Sequence, residues 1–419
     1  MTLPVMTNKG QIPMQGPLSG LTIIEVSAFI AAPYASLSLA QMGAEIIRID
    51  PIGGGLDYNR WPVTAAGDSL YWTGLNKGKK SVTMNVREPR GRALAQDLMT
   101  RAGDGNGIVL TNLPAKGWLD YEALKAKRSD LIMVNIVGRR DGGVALDYTI
   151  NARTGFPMVT GPEDNGRPVN HVMPVWDVVT GLSASNAVLV ADRHRRDTGE
   201  GQYIRIALAD SALSVLSHLG YIAEVQINDH DRPRTGNHVF GTFGCDFATA
   251  DDRRIMITAF TTRHWHALVA ATGMTARFEA LAVAHGCDLD REEQRYAHRS
   301  AIEAILAPWF AARSLAEAGA ALDAAAACWG PYQSFRQLVE EDPDVSTANP
   351  MFNEIDQPGV GRHLAAGSFV EFDAFDRLPA APAPVLGQDT ASVLSETLGL
   401  DGGDIAELQA AGIVGRARD

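Results

Sequence analysis

Leu21-Thr22-Ile23-Ile24-Glu25-Val26, a helix-patterned stretch from Ala32 to Met42, and Ala44-Glu45-Ile46-Ile47-Arg48-Ile49-Asp50 follow one another in close order. Short apolar runs bounded by turn residues read as buried strands, and the middle stretch has helical spacing. Strand, helix and strand in this order make a βαβ unit, with parallel strands and a right-handed crossover. Its first turn, Ser27-Ala28-Phe29-Ile30-Ala31-Ala32-Pro33, lacks the GxGxxG of a dinucleotide fold, which argues against a nicotinamide cofactor.

Outward from this unit the alternation continues. The loop Pro51 to Pro62 carries three glycines and Arg60; it is either a surface connection or a ligand contact. Leu75-Asn76-Lys77-Gly78-Lys79-Lys80-Ser81-Val82 sets three lysines ahead of a strand, Ser81 to Val86. Such a cluster is a solvated turn or the phosphate-facing rim of a site. Arg90 to Arg101 reads as helix, and Gly107 to Asn112 and Leu131 to Val137 as strands. Ligands in open α/β sheets sit outside the strand C-terminal ends, so Asn112 and the loop Gly138-Arg139-Arg140-Asp141-Gly142-Gly143 are candidates by position.

The stretch Val169-Asn170-His171-Val172-Met173-Pro174-Val175-Trp176-Asp177-Val178-Val179-Thr180-Gly181 puts a carboxylate where an extended segment meets a long helical run, Val178 to Ala191. Two readings stand for Asp177: a helix N-cap, or a nucleophile kept ionised by the positive helix end. The helix continues to Arg196. A strand, Gln202 to Leu208, and a helix, Asp210 to Val225, come next.

Charged, Pro- and Gly-containing residues from Asp229 to Asn237 read as a linker. A hairpin over Cys245–Thr258 and Ala-rich helices to about Ala327 suggest a second, α+β domain. His264 and His266 point to different helix faces, so they make a poor metal pair. The tail from Asp342 to Pro382 is short on helical pattern, and Thr390 to Gly399 returns to helix.

The chain has 419 residues, 46% of them apolar and 21% charged, with a formal charge of −12. This suits a soluble globular protein of two domains and speaks against nucleic-acid or anionic-membrane binding. Three scattered cysteines, Cys245, Cys287 and Cys328, suggest neither a disulfide framework nor a zinc site. Met1 to Gly16 is polar without an apolar leader-like run, and no stretch has the length and apolarity of a membrane span. The expected location is the cytoplasm.

Several motifs in this order resemble the class III CoA-transferases, which include formyl-CoA and carnitine CoA-transferases and α-methylacyl-CoA racemase. The carriers are Gly16-Pro17-Leu18-Ser19-Gly20-Leu21, Gly43 to Asp50, Leu75 to Val82, Trp176-Asp177-Val178-Val179-Thr180-Gly181, Thr198-Gly199-Glu200-Gly201-Gln202 and Asp210-Ser211-Ala212. The resemblance implies a Rossmann-like large domain with a parallel sheet, a smaller inserted α+β domain, and an interlocked homodimer. The expected divisions are 1–228 for the first part of the large domain, 229–341 for the small domain and 342–419 for the returning segment. It also implies that Asp177 forms the acyl-enzyme.

Ile49 to Tyr58, Val137 to Gly143, Val169 to Val172 and Asp229 to Arg234 point to a subgroup that moves CoA between the two carboxyl groups of one unsaturated C5 dicarboxylate. The alternative is intermolecular transfer from a CoA thioester to a free carboxylic acid. The partner implied is the acyl-CoA thioester of a dicarboxylic acid; CoA is part of the substrate, and no cofactor or metal is expected. Arg139 or Arg140 would pair the free carboxylate, with Gly138, Asn170 and His171 beside it. Backbone N–H groups of Gly138, Gly142 and Gly143, or of Gly241 and Gly244, would serve developing oxyanions. CoA is expected against Arg60, Lys79, Met84, Asn112 and Leu113, with Lys77 and Lys80 as further phosphate candidates. Three departures from the family pattern matter. Leu146 replaces the racemase histidine in Ala145-Leu146-Asp147, which disfavours racemisation. The Asn-Phe-Arg-Pro-Gly motif reads Asn112-Leu113-Pro114-Ala115-Lys116, so its arginine is missing. A glutamine beside the nucleophile in formyl-CoA transferase falls on Ile30.

Overall fold

The computed structural model describes residues 16–417; the opening segment, apart from Gly16, lies outside them. The chain forms two compact units. The first comprises Met1–Thr154, Val172–Ile222 and Pro343–Asp419, the second Gly155–His171 and Ala223–Asp342. Residues 155–171 and 223–228 group with the smaller unit, against the expected divisions, while the 229–237 linker falls in it as expected. Arg234 ties the first of these segments in: its guanidinium donates to the carbonyls of Met158 and Arg167 at 2.8 and 3.0 Å, and also meets that of Asn165.

The larger unit is built on a six-stranded sheet. Its strands are β1 (Thr22–Val26), β2 (Glu45–Asp50), β3 (Lys80–Thr83), β4 (Ile108–Thr111), β5 (Ile132–Val137) and β6 (Tyr203–Ala207). The order is β3-β2-β1-β4-β5-β6 with every neighbouring pair parallel. The direction of winding therefore reverses between β1 and β4, and a crevice opens there at the strand C-terminal ends.

The inner strands β1, β2, β4 and β5 read as mostly apolar runs because both their faces are covered. Ile24, Ile47, Val109 and Met133 pack under the tail helices through Val393, Leu394, Ile405 and Leu408. Ile23, Ile46, Leu110 and Val134 pack under the helices Ala31–Ala40 and Val175–Thr198 through Ala31, Ala35, Ala184 and Val188. The tail thus completes the core of the N-terminal part. Its hairpin, Phe352–Gln357 with Gly361–Ala366, and its last helix, Gly402–Ala410, were not read from sequence. The expected helix Asp210–Val225 is two helices, Leu208–His218 and Tyr221–Asn228, broken at Gly220 with φ +85°.

The smaller unit holds an antiparallel sheet of β7 (Phe243–Ala248), β8 (Arg254–Ala259) and β9 (Cys328–Pro331), of which the first two are the expected hairpin. Helices close over it through Trp265, Leu268, Ile302, Leu306 and Phe310. Among the described residues no helix is long and apolar enough to cross a membrane.

Candidate active site

At the C-terminal end of β1 the backbone turns sharply. Phe29 adopts φ +66°, a region that side-chain-bearing residues other than Asn and Asp seldom occupy. Two side chains hold it there. The Asn112 amide bonds Ala28 twice, accepting its N–H at 2.9 Å and donating to its carbonyl at 2.6 Å. Asp57 accepts the Phe29 N–H at 3.0 Å. Asn112 is therefore at the crevice as expected, but both ends of its amide are committed to the loop rather than to CoA.

Beneath this loop lies a buried ionic cluster. The guanidinium of Arg48, 1% exposed, pairs with Glu25, Asp50 and Asp57 at 3.1, 2.9 and 3.2 Å and donates to Asn76. Lys79 donates to Glu25, Asn76 and the Pro33 carbonyl at 2.9, 2.9 and 3.0 Å. Burial alone would raise the Glu25 carboxyl, but Lys79, Arg48 and two serine hydroxyls outweigh it and hold the group at about 2. Lys79 is pulled down to about 8 by burial, against the attraction of Glu25. Its three N–H donors are used inside the protein. The expected contact of Lys79 with CoA phosphates is corrected on that ground.

The helix Val175–Thr198 brings Asp177 to the same end of the sheet. Gly181 lies so close to the helix Ala31–Ala40 that a Cβ would stand 2.7 Å from the Ala31 carbonyl oxygen. One turn on, the Ser185 hydroxyl donates to the Ala35 carbonyl at 3.0 Å. The two helices run parallel, matched four residues to four. One turn back from Gly181 is Asp177, on the same helix face, and one turn back from Ala31 is the Ser27–Ile30 loop. The small residue at 181 and the capless start of the helix thus set the carboxylate over that loop.

Asp177 is not the helix cap. The N-cap is Pro174, and the helix starts three residues ahead of the expected Val178. The free N–H groups of its first turn are taken by Asp147, whose Oδ2 accepts from Trp176 at 2.7 Å and from Asp177 at 3.1 Å. Asp147 is 2% exposed and begins the short helix Asp147–Asn151. Consequently the helix end does not favour the ionised form of Asp177. Burial, and secondarily the charge of Asp147, push the half-buried Asp177 carboxyl up to about 7. The expectation of a strongly ionised carboxylate is reversed: two acids sit together and one titrates near neutrality.

Close enough to Asp177 to feel its charge is Tyr71, on the helix Leu70–Leu75. Its hydroxyl is shut off from solvent and meets no partner at hydrogen-bonding geometry. Burial raises it to about 12; Arg60 opposes the rise, while Asp177 and Asp57 add to it. The Arg60 guanidinium lies over the rings of Phe29 and Tyr71, 5.7 and 5.3 Å from their centroids.

The remaining expected residues fall elsewhere. Met84 is fully buried in the sheet core, and Leu113 packs partly buried against the same core, so Met84 offers CoA no surface. Lys80 pairs with Glu45 at 2.6 Å. Lys77 is lowered by burial and has no ion-pair partner among the described residues. Arg139 is tied to Asp141 at 2.6 Å in a solvated turn, and Arg140 is exposed. In that turn the Gly142 N–H goes to the Arg139 carbonyl and the Gly143 N–H to Asp141. Neither is free for an oxyanion, and that candidate is corrected. Gly138 stands where a Cβ would be 2.7 Å from the backbone of Ala145, a close approach that explains the glycine. Leu146 is 61% exposed. Asn170, exposed, and half-buried His171 end the 155–171 segment of the smaller unit, which also holds Gly241 and Gly244 in its 223–342 segment. That unit also brings His238, Cys245 and Glu303 together, with possible ligand atoms within 4.8 Å of one another. His238 pairs with Glu303 at 3.3 Å, and burial pushes the Cys245 thiol up.

Tyr71 and Asp57 were not singled out, and Asp147 entered only as the neighbour of Leu146. Nothing local marks them: Tyr71 fits a short amphipathic helix, and Asp147 meets Asp177 across 30 residues of chain.

A model of CoA-transferase family III matches residues 18–390, and the chain belongs to that family. It is 50% identical over 402 residues to a 2-methylfumaryl-CoA isomerase of Chloroflexus aurantiacus, covering 96% of this chain and 98% of the relative. A succinyl-CoA:mesaconate CoA-transferase of Haloarcula marismortui is 28% identical over 410 residues, 93% of this chain and 98% of its own. Among solved structures, a CAIB/BAIF family protein of Brucella suis superposes with a TM-score of 0.74 at 24% identity. It covers 91% of this chain and 100% of its own, and shares the fold.

Proposed function

We propose that the protein isomerises 2-methylfumaryl-CoA to 3-methylfumaryl-CoA by moving CoA between the two carboxyl groups of one C5 dicarboxylate. The observation that carries this reading is the half-identity to the Chloroflexus isomerase across nearly the full length of both chains. The placement of Asp177 at the crevice over the Ser27–Ile30 loop supports it.

In this reading Asp177 Oδ attacks the thioester carbonyl carbon; the C–S bond breaks, leaving an aspartyl–acyl anhydride and CoA thiolate. The thiolate attacks Cγ of Asp177 and expels the dicarboxylate, which gives aspartyl-CoA. The acid turns over, its other carboxylate attacks Cγ and releases the thiolate again, and the thiolate takes the far acyl carbon. Asp177 leaves as it began. No net proton, electron or water is consumed, and CoA enters as part of the substrate. A carboxyl group near 7 is populated as the nucleophilic carboxylate at physiological pH, yet it is not so weakly basic that its anhydride forms sluggishly. We propose a cytoplasmic location and, from the family resemblance, a homodimer.

Incubation with 2-methylfumaryl-CoA and labelled free mesaconate tests the intramolecular course. The expected result is isomerisation with no label in the thioester pool. Label in the thioester would instead make the protein an intermolecular CoA-transferase.

A further inference from the structure

We infer that Arg60 and Tyr71 form the subsite that holds the substrate's free carboxylate while the other carboxyl group reacts. This rests on the dicarboxylate reading above and assigns the cation to Arg60, which pairs with no carboxylate among the described residues, rather than to Arg139, which Asp141 occupies.

Arg60 is fixed by its backbone: its N–H donates to the Asp57 carbonyl at 3.1 Å, and its carbonyl accepts the Ser69 hydroxyl at 2.5 Å. Ser69 in turn caps the helix that carries Tyr71. The guanidinium rests over two aromatic rings, those of Phe29 and Tyr71. It makes no ion pair with any carboxylate among the described residues, although Asp57, which Arg48 occupies, is three residues away. The guanidinium also lies near enough to the Tyr71 hydroxyl to act on it as a donor, and with no ion-pair partner its fork can turn toward a carboxylate that both side chains then hold.

Tyr71 supplies the second donor. A buried hydroxyl without a partner costs free energy unless a ligand satisfies it. Its phenol stays protonated at any physiological pH, so it donates. Phe29 belongs to the loop over which Asp177 is set, which puts this fork beside the nucleophile. The pantetheine arm separates the phosphates of CoA from its thioester. A cation beside the reacting carbonyl therefore serves the acyl group, and Arg60 is reassigned from the phosphates.

The test measures binding of free mesaconate, of its monocarboxylate analogue 2-methylcrotonate and of CoA by calorimetry, in the parent, Arg60→Gln and Tyr71→Phe. The parent is expected to prefer mesaconate. Arg60→Gln should weaken mesaconate by about 100-fold or more, to the level of the monocarboxylate, and Tyr71→Phe by about tenfold. CoA binding should stay within about twofold in both. Weaker CoA binding in Arg60→Gln with mesaconate unaffected would return Arg60 to the phosphates and overturn the proposal. Unchanged mesaconate binding in both variants would do the same. Binding is read without turnover, so a failure of isomerisation with the preference intact would count against the mechanism and not against this subsite.

Discussion

Asp147 Oδ2 accepts the backbone N–H of Asp177 at 3.1 Å while its own negative charge raises the Asp177 carboxyl. One residue thus fixes the position of the helix end that carries Asp177 and adds to the burial that raises its carboxyl. The cap that would have stabilised an Asp177 carboxylate is spent on its neighbour.

A pH profile follows from this pair. In the proposed mechanism Asp177 attacks only as the carboxylate, so kcat/KM should rise with pH through about 7. Asp147→Asn keeps an oxygen to accept the two N–H groups but removes the like charge. Burial remains, so the acid limb should move toward lower pH by a fraction of a unit to about one unit. A limb that stays in place in Asp147→Asn would show that Asp147 does not set the titration.

Stability should carry the opposite signature. A carboxyl raised from 3.8 to about 7 makes the folded state bind the extra proton in that window, so stability falls as pH rises through it. Asp177→Asn removes the penalty. The variant should be more stable above pH 7 by about 1–2 kcal/mol once solvent screening is allowed for, seen as a higher unfolding temperature, and match the parent near pH 4. Equal shifts at both pH values would contradict the linkage.

Arg48→Met should be far more damaging than its distance from the reaction suggests. It leaves Glu25, Asp50 and Asp57 as buried carboxylates with Lys79 as their one remaining cation. Breaking a buried ionic cluster on one side costs about 3–5 kcal/mol, readable as a lower urea midpoint with an unchanged slope.

Asn112→Ala removes both bonds to Ala28 and frees the turn that holds Phe29 at positive φ. Turnover should fall by about tenfold or more as the loop beneath Asp177 loosens. CoA binding should hardly change, since the amide faces the loop. A loss confined to CoA affinity would restore Asn112 to the CoA site.

The inner strands of the parallel sheet were legible because they are buried on both faces, so Ile23 to Val26 and Ile132 to Val137 stand out as mostly apolar runs, whereas the edge strand β6 alternates. Asp177 was legible because a carboxylate before a long helix is a short-range pattern. The ionic cluster was not. Arg48 and Glu25 face each other through strand register, and Lys79 reaches them over 54 residues, so a lysine cluster that reads as a solvated rim hides a buried member. The proposed carboxylate cation, Arg60, was not legible as such for a related reason. Arg139 and Arg140 sit at a strand end, where ligands gather, but Asp141 next to them takes the first. Arg60 owes its place to rings supplied by Phe29 and Tyr71, which no spacing in the chain connects.

The central claim is a covalent aspartyl adduct at Asp177, and the direct measurement is peptide mapping by mass after acid quench during turnover of 2-methylfumaryl-CoA. The expected result is CoA in thioester linkage on the peptide that contains Asp177, absent from Asp177→Asn together with isomerisation. CoA attached to a different residue, or isomerisation persisting in Asp177→Asn, would contradict it.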